Sequence, residues 1–280
     1  MGEKGVSSAV VIVIVIVIAI AGVGSYLLLK GGEGEGDAYE LSYSFQPGES
    51  YVYDQRMEFE FPEDLGIPPV EVSSIVTQDV LEVVDNEFEI RSLMTMQTTI
   101  SGEAPQTGTV AMTYRMTNKG VRYGLEIENV EPPELWASME QMREQQESYL
   151  ETINQYPTDP VPVGRKWSIP IDFQFEQAGI PMTLVGEARS SIAGRENMTV
   201  GAGTFDCWRL VHKMSVTGEA EVMGQKITVT MSVDGTSWID LQSGAQTKVN
   251  LPMSFKVKVA GEEVKLSINI TIELIEYQAP

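Results

Sequence analysis

Residues 6–29 contain no charged side chain, and from Ala9 to Ala21 the chain is an unbroken run of Val, Ile and Ala. About 20 apolar residues cross the hydrocarbon layer as a helix. Lys4 and Lys30 stand at the two ends, where lysine heads reach water. The tail before the span is only residues 1–5, and the segment after it, residues 30–37, is a Gly/Glu linker ending at Asp37. The positive-inside bias then puts the tail in the cytoplasm and everything from Asp37 onward outside, as a single-pass protein of the cell membrane.

Two other readings of the segment stay open. Ala19-Ile20-Ala21 has the small-x-small form of a secretory cleavage site, although apolar sequence continues through Val23 and Tyr26 to Leu29. Lys4-Gly5-Val6-Ser7-Ser8 resembles the processing site of archaeal type IV pilin precursors. Cleavage after Gly5 would make residues 6–29 a filament core, as in a pilin-like or surface-structure subunit; Val10 stands where pilins commonly carry a glutamate. No cysteine lies near the N-terminus, which excludes a lipid-modified cysteine anchor.

Residues 38–280 remain, enough for one large or two small domains with a real core. Forty acidic against 19 basic residues give a net charge of −21, which excludes nucleic acid as a partner because phosphate binding needs a basic footprint. Such acidity suits a solvated surface. Glu58 with Glu60, or Glu262 with Glu263, offer oxygen ligands for Ca²⁺, but no EF-hand loop is present. One cysteine, Cys207, rules out an intrachain disulfide, so packing must hold the fold together.

Period-two alternation dominates the outer part. Tyr51, Tyr53, Met57, Phe59 and Phe61 alternate with Asp54, Arg56, Glu58 and Glu60; the series from Ile227 to Val233 and from Leu266 to Leu274 do the same. This is antiparallel sheet with one dry face. Turn signals separate the runs at Pro47-Gly48, Asp85-Asn86, Asn118-Lys119-Gly120, Asp234-Gly235, Ser243-Gly244 and Ala260-Gly261. One segment differs: residues 134–156, opened by Pro132-Pro133 and closed by Pro157, place Leu135, Met139, Met142, Tyr149, Leu150 and Ile153 at helical spacing. The expected fold is mainly β, a curved antiparallel sheet or incomplete barrel wrapped around this amphipathic helix.

The sequence also echoes itself. Phe59-Glu-Phe61 with Gly66-Ile67-Pro68 matches Phe173-Gln-Phe175 with Gly179-Ile180-Pro181; Pro47-Gly48-x-x-Tyr51 faces Val163-Gly164-x-x-Trp167; Val110 to Thr113 faces Val229 to Ser232. A duplicated meander, residues 38–131 and 161–280 joined by the helix, follows from this order.

Chemistry is scarce. The one histidine, His212, shares the strand expected from Phe205 to Val216 with Cys207, but the two differ in parity and should face opposite sides, so a Cys/His dyad is disfavoured. His212 reads as structural and Cys207, between Phe205 and Trp208, as a small buried apolar residue. No His/Cys cluster exists for zinc, and Gly201-Ala-Gly203 reads as a turn before a strand. No cofactor, metal or catalytic residue is expected; a secreted hydrolase working through His212 is the least favoured reading. Asn197-Met198-Thr199 and Asn269-Ile270-Thr271 fit the glycosylation sequon.

Gly203-Thr204-Phe205-Asp206-Cys207-Trp208-Arg209-Leu210, followed by Trp238-Ile239-Asp240 and by Gly244 to Lys248, resembles an uncharacterised group of envelope β-proteins. Pro162-Val163-Gly164-Arg165-Lys166-Trp167 matches their Val-Gly-x-x-Trp opening. That group is similar in architecture to bacterial lipoprotein carriers, whose incomplete barrel wraps a helix and can hold an acyl chain. The resemblance implies ligand holding or envelope assembly, although the anchor of residues 6–29 departs from the soluble carriers; together with the scarcity of chemistry this gives the expectation of a non-enzymatic, membrane-anchored β-domain that binds a hydrophobic ligand, lipid or envelope partner. Leu135, Met139, Met142, Leu150 and Ile153 are then the ligand-facing side of the helix.

Overall fold

The computed structural model describes residues 38–280 other than 64–65, 103, 134–135, 137–139, 141–142, 144–155, 158, 178–179, 223–224 and 260–261. The apolar segment of residues 6–29 and the linker therefore lie outside the described residues, and among those described no helix is long and apolar enough to cross a membrane.

The first group of strands is β1 (Ala38–Tyr39), β2 (Ser50–Glu60), β3 (Val70–Val84), β4 (Glu87–Ile100), β5 (Gln106–Thr117) and β6 (Arg122–Glu131). The second is β7 (Val161–Pro162), β8 (Lys166–Gln177), β9 (Ile180–Val200), β10 (Gly203–Val222), β11 (Gln225–Asp240), β12 (Gln246–Val259) and β13 (Glu262–Gln278). Eleven of them form one antiparallel sheet in the order β6-β5-β4-β3-β2-β13-β12-β11-β10-β9-β8, and β1 pairs with β7. Two meanders are thus joined where β2 meets β13. The sheet is open, with β6 and β8 as its free edges. Glu126 and Glu128 on β6, and Pro170 and Asp172 on β8, are the charged and proline residues that discourage edge-to-edge pairing.

Alternation places the core as expected. Tyr51, Tyr53 and Phe59 on β2, Ile227, Val229, Met231 and Val233 on β11, and Leu266, Ile268, Ile270 and Leu274 on β13 are buried and belong to one cluster that takes in both meanders. The sheet curls onto that cluster: Ala202, in the β9–β10 turn, donates to the Leu274 carbonyl of β13 (3.2 Å), across the line of β11 and β12. Outward faces carry cross-strand ion pairs such as Lys213–Asp234 at 3.1 Å and Lys248–Glu273 at 3.1 Å, each worth little singly.

The two-residue turn Asp85-Asn86 has φ of 51° and 66°, the left-handed pair that matches the twist of a hairpin. One turn expectation fails. Asp234-Gly235 lies inside β11, with Gly235 registered against His212. A Cβ there would meet Leu251 Cδ2 at 2.5 Å and the Asn250 carbonyl at 2.8 Å, so this glycine serves close packing with β12 rather than a change of direction.

Of the helix expected over residues 134–156, only isolated positions belong to the described residues. Trp136, Glu140 and Arg143 are helical, Arg143 pairs with Glu140 at 2.6 Å, and Tyr156 is already outside helical geometry. Between β1 and β2, residues 40–46 form a strap across the end of the sheet where the hairpin turns gather, with Leu41, Tyr43 and Phe45 buried. Tyr43 N–H donates to the Asn118 carbonyl of the β5–β6 turn and Ser44 N–H to the Ser243 carbonyl of the β11–β12 turn, both at 2.8 Å. The strap therefore laces one meander to the other. Tyr156 packs on it, its ring 4.8 Å from that of Tyr43 and its hydroxyl donating to the Gly244 carbonyl at 2.7 Å.

Candidate functional site

Strand parity should make the inner face of β2 continuous: Tyr51, Tyr53, position 55, Met57, Phe59. Position 55 is Gln. Likewise the inner series of β3 is interrupted by Ser74 and Gln78. Gln55 is registered between Ser74 of β3 and Ile272 of β13, and the Met116–Arg122 register of β5 and β6 turns Arg122 to the same side as Met116. A register shift at Trp238/Ile239 sets Gln246 opposite Ile239 at the start of β12.

These inward polar groups surround a partly open cavity of about 140 Å³. Tyr43 and Phe45 line it from the strap, and Tyr53, Tyr114, Met116 and Ile272 from the sheet. Gln55, Gln78, Gln246 and Arg122 are the other lining residues among those described. Tyr43, Phe45, Tyr53, Tyr114 and Met116 are buried, whereas the three glutamines and Arg122 are half-buried, so an aromatic floor lies beneath a rim of amides and one guanidinium. Gln78 Nε2 donates to the Tyr114 hydroxyl at 3.4 Å, and Arg122 lies over the Tyr114 ring at 5.0 Å.

Burial pushes the Tyr53 hydroxyl far above the usual phenol range; Tyr43 and Tyr114 push it further and Arg122 draws it part of the way back. Tyr156 is raised for the same first reason. These phenols stay protonated and serve as neutral donors and acceptors at the neutral pH of most cells.

A second polar line runs along the inner face of the other meander. His212 Nδ1 lies 2.9 Å from Ser190 Oγ and His212 Nε2 lies 2.7 Å from Ser237 Oγ, joining β9, β10 and β11. A serine at hydrogen-bond distance from a histidine is the first requirement of nucleophile activation. Here the three are 3%, 1% and 2% exposed, in that order along the strands, so a substrate has no path to them. Cys207 belongs to neither: its Sγ is 3.3 Å from Thr247 Oγ1, and burial pushes its thiol up to about 11, which leaves it an unreactive core residue.

The ligand-facing positions expected on the helix, Leu135, Met139, Met142, Leu150 and Ile153, all lie outside the described residues. Asn197 is exposed beside the β9–β10 turn; Asn269 is half-buried at the centre of β13, between Glu58 and Pro252. Among the described residues no group of three or more His, Cys, Asp or Glu side chains can hold a metal ion. The cavity escaped sequence reasoning, although one signal was present: polar residues at inward parity in strands otherwise apolar on that face.

No family model matches the chain, and no curated protein matches it. Among solved structures it aligns over 87% of its length with the whole of a protein described as a lipoprotein from Parabacteroides distasonis, at 12% identity and a TM-score of 0.32. It aligns over 86% with the whole of a Bacteroides fragilis protein assigned as exported and having a YmcC-like fold, at 10% identity and a TM-score of 0.26. It also aligns over 81% with 99% of the β-domain of the Bordetella autotransporter BrkA, at 7% identity and a TM-score of 0.20. Likenesses this faint transfer no function to the chain.

Proposed function

We propose that this chain is a membrane-tethered, extracytoplasmic, non-enzymatic binding module. The apolar segment of residues 6–29 anchors it, and the β-domain holds a small amphipathic ligand in the cavity between strap and sheet. The observation that carries this reading is the cavity's two-part lining, a buried aromatic floor with a half-buried amide rim. Ligand pockets combine these two features: an apolar bed for burial and a few polar groups for orientation.

Size limits the ligand. A pocket for a drug-sized molecule spans roughly 300–1,000 Å³, and a cavity of about 150 Å³ takes a benzene-sized body. At about 140 Å³, this cavity fits a ring-sized or short-chain group rather than a full acyl chain.

Native mass spectrometry of the full chain, taken from its own host's membrane fraction in a neutral detergent, tests the reading. The expected result is release of a small mass on denaturation from the wild type and its absence from Gln55→Trp, which fills the cavity. A ligand-free wild type that also rejects small aromatic probes would overturn it in favour of a partner-binding domain.

A further inference from the structure

The apolar residues that the fold leaves exposed are gathered toward one end of the sheet. Among the described residues ten large apolar side chains are exposed, and six of them, Tyr39, Leu81, Val84, Val163, Ile275 and Tyr277, lie within three residues of a strand terminus at the strap end. Register makes this a single end: β2 opens at Ser50 against the close of β13 at Gln278, and β3 closes at Val84 against Glu87 and, one strand on, Thr117. Tyr39 and Val163 join it through the pairing of β1 with β7, and the Tyr39 ring rests 4.3 Å from that of Trp208.

The chain enters the domain at this same end. Ala38 opens β1, and only residues 30–37 separate it from the apolar segment that the tethered reading places in the membrane. An extended residue advances at most about 3.6 Å, so the linker holds the strap end within roughly 30 Å of the bilayer, while the other end of the sheet is a strand's length removed from the attachment. A short tether keeps the nearest surface at high effective concentration against what it is tethered to. Aliphatic side chains with tyrosines among them are the groups that settle at the boundary of headgroups and acyl chains. Charge selects the kind of bilayer. Glu82, Asp85, Glu87 and Glu276 are exposed and adjoin these apolar residues in sequence, so an anionic headgroup layer would repel this end.

We infer that the strap end is a membrane-docking surface, whose exposed Leu, Val, Ile and Tyr side chains rest on electroneutral headgroups of the bilayer that carries the chain's own anchor. This rests on the tethered reading and adds an orientation to it: the strap faces the membrane.

The test uses the full chain in phosphatidylcholine nanodiscs, with one cysteine added and labelled with an environment-sensitive fluorophore. Cys207 is buried and leaves the label to the added thiol. Val84→Cys and Val163→Cys report on the strap end. Val185→Cys, exposed on β9 away from that end, and Ser101→Cys, in the β4–β5 turn at the opposite end, are the controls. Labels at 84 and 163 should emit at shorter wavelength and lose most of their fluorescence to doxyl-labelled lipid, while those at 185 and 101 stay solvent-like. Adding phosphatidylglycerol should weaken the quenching, and salt should restore it by screening the repulsion.

Equal emission at all four positions in chains that stay in the nanodisc would overturn the docking surface and leave the tether standing. Quenching that grows with phosphatidylglycerol and falls with salt would overturn the electroneutral apolar surface. Labels at 84 and 163 shielded from water yet untouched by doxyl lipid would put a second copy or another protein there and overturn it as well. A full chain that leaves its host's membrane fraction in alkaline carbonate would overturn the tethered reading, and the docking surface with it.

Discussion

The two meanders turn the same corner in the same way and then fill it differently. Gly48 N–H donates to the Val80 carbonyl and Gly164 N–H to the Ile192 carbonyl, both at 2.8 Å, with φ of 89° and 82° at the two glycines. Three residues later comes a buried aromatic, Tyr51 in one and Trp167 in the other, and each accepting strand slips register just past its carbonyl. Register then puts Gln78, Ser92 and Tyr114 in the places of Ser190, His212 and Ser237. In the second meander His212 stands opposite Gly235, and its ring spans both serine hydroxyls. In the first, small Ser92 stands opposite Met112, and Gln78 reaches Tyr114 beside an unfilled space. One wall has become saturated core and the other a lined cavity. The lesson is that the same register can carry a closed Ser-His-Ser line in one meander and a cavity lining in the other, according to the size of the side chain at the middle position.

The comparison breaks most visibly at the middle position. His212→Ala should cost about 3–5 kcal/mol, because it opens a cavity and strips partners from two buried hydroxyls. Ser92→Ala at the matching position should cost about 1 kcal/mol. Denaturant unfolding of the full chain measures both, and equal losses would mean the two walls are alike. Next, Gly244→Ala should cost about 2–3 kcal/mol, since φ there is 74° and a Cβ would clash with the Ser42 carbonyl oxygen. Hydrogen exchange at residues 41–46 should rise with it, because the strap is displaced.

The smallest effect is a pH dependence. Burial, then the Glu49 carboxylate that accepts its hydroxyl at 2.8 Å, pushes Tyr277 up to about 12, and Tyr51, which bonds the same carboxylate, is raised by burial and Glu49 as well. A raised phenol favours the protonated folded state, so its contribution is whole below pH 10 and fades as pH climbs toward 12. Stability measured from pH 9 to 12 should fall, and less steeply in Tyr277→Phe.

Much of the sheet is legible in the sequence. Alternation in β2, β11 and β13 names the buried face residue by residue, and Asp85-Asn86 announces a hairpin, because both signals are local. The echo between the halves falls on β2 and β8 and on β5 and β11, although the sequence match of Val110 with Val229 is four residues away from the register match with Val233. Gly235 misleads for a related reason. Asp-Gly is a turn signal only when the chain reverses there, and close approach of β12 is an equally good reason for a glycine.

Sequence alone determined that this chain carries an uncharged apolar stretch over residues 6–29 and a β-domain without an intrachain disulfide, since hydropathy and period are properties of consecutive residues. Tertiary structure decided which polar residues share a space. Gln55, Gln78, Arg122 and Gln246 are brought together only by register between β2, β3 and β13, by pairing of β5 with β6, and by a slip at Trp238/Ile239. Each of those is set by backbone hydrogen bonds between distant strands, and a one-residue change in any of them would turn its side chain to the opposite face.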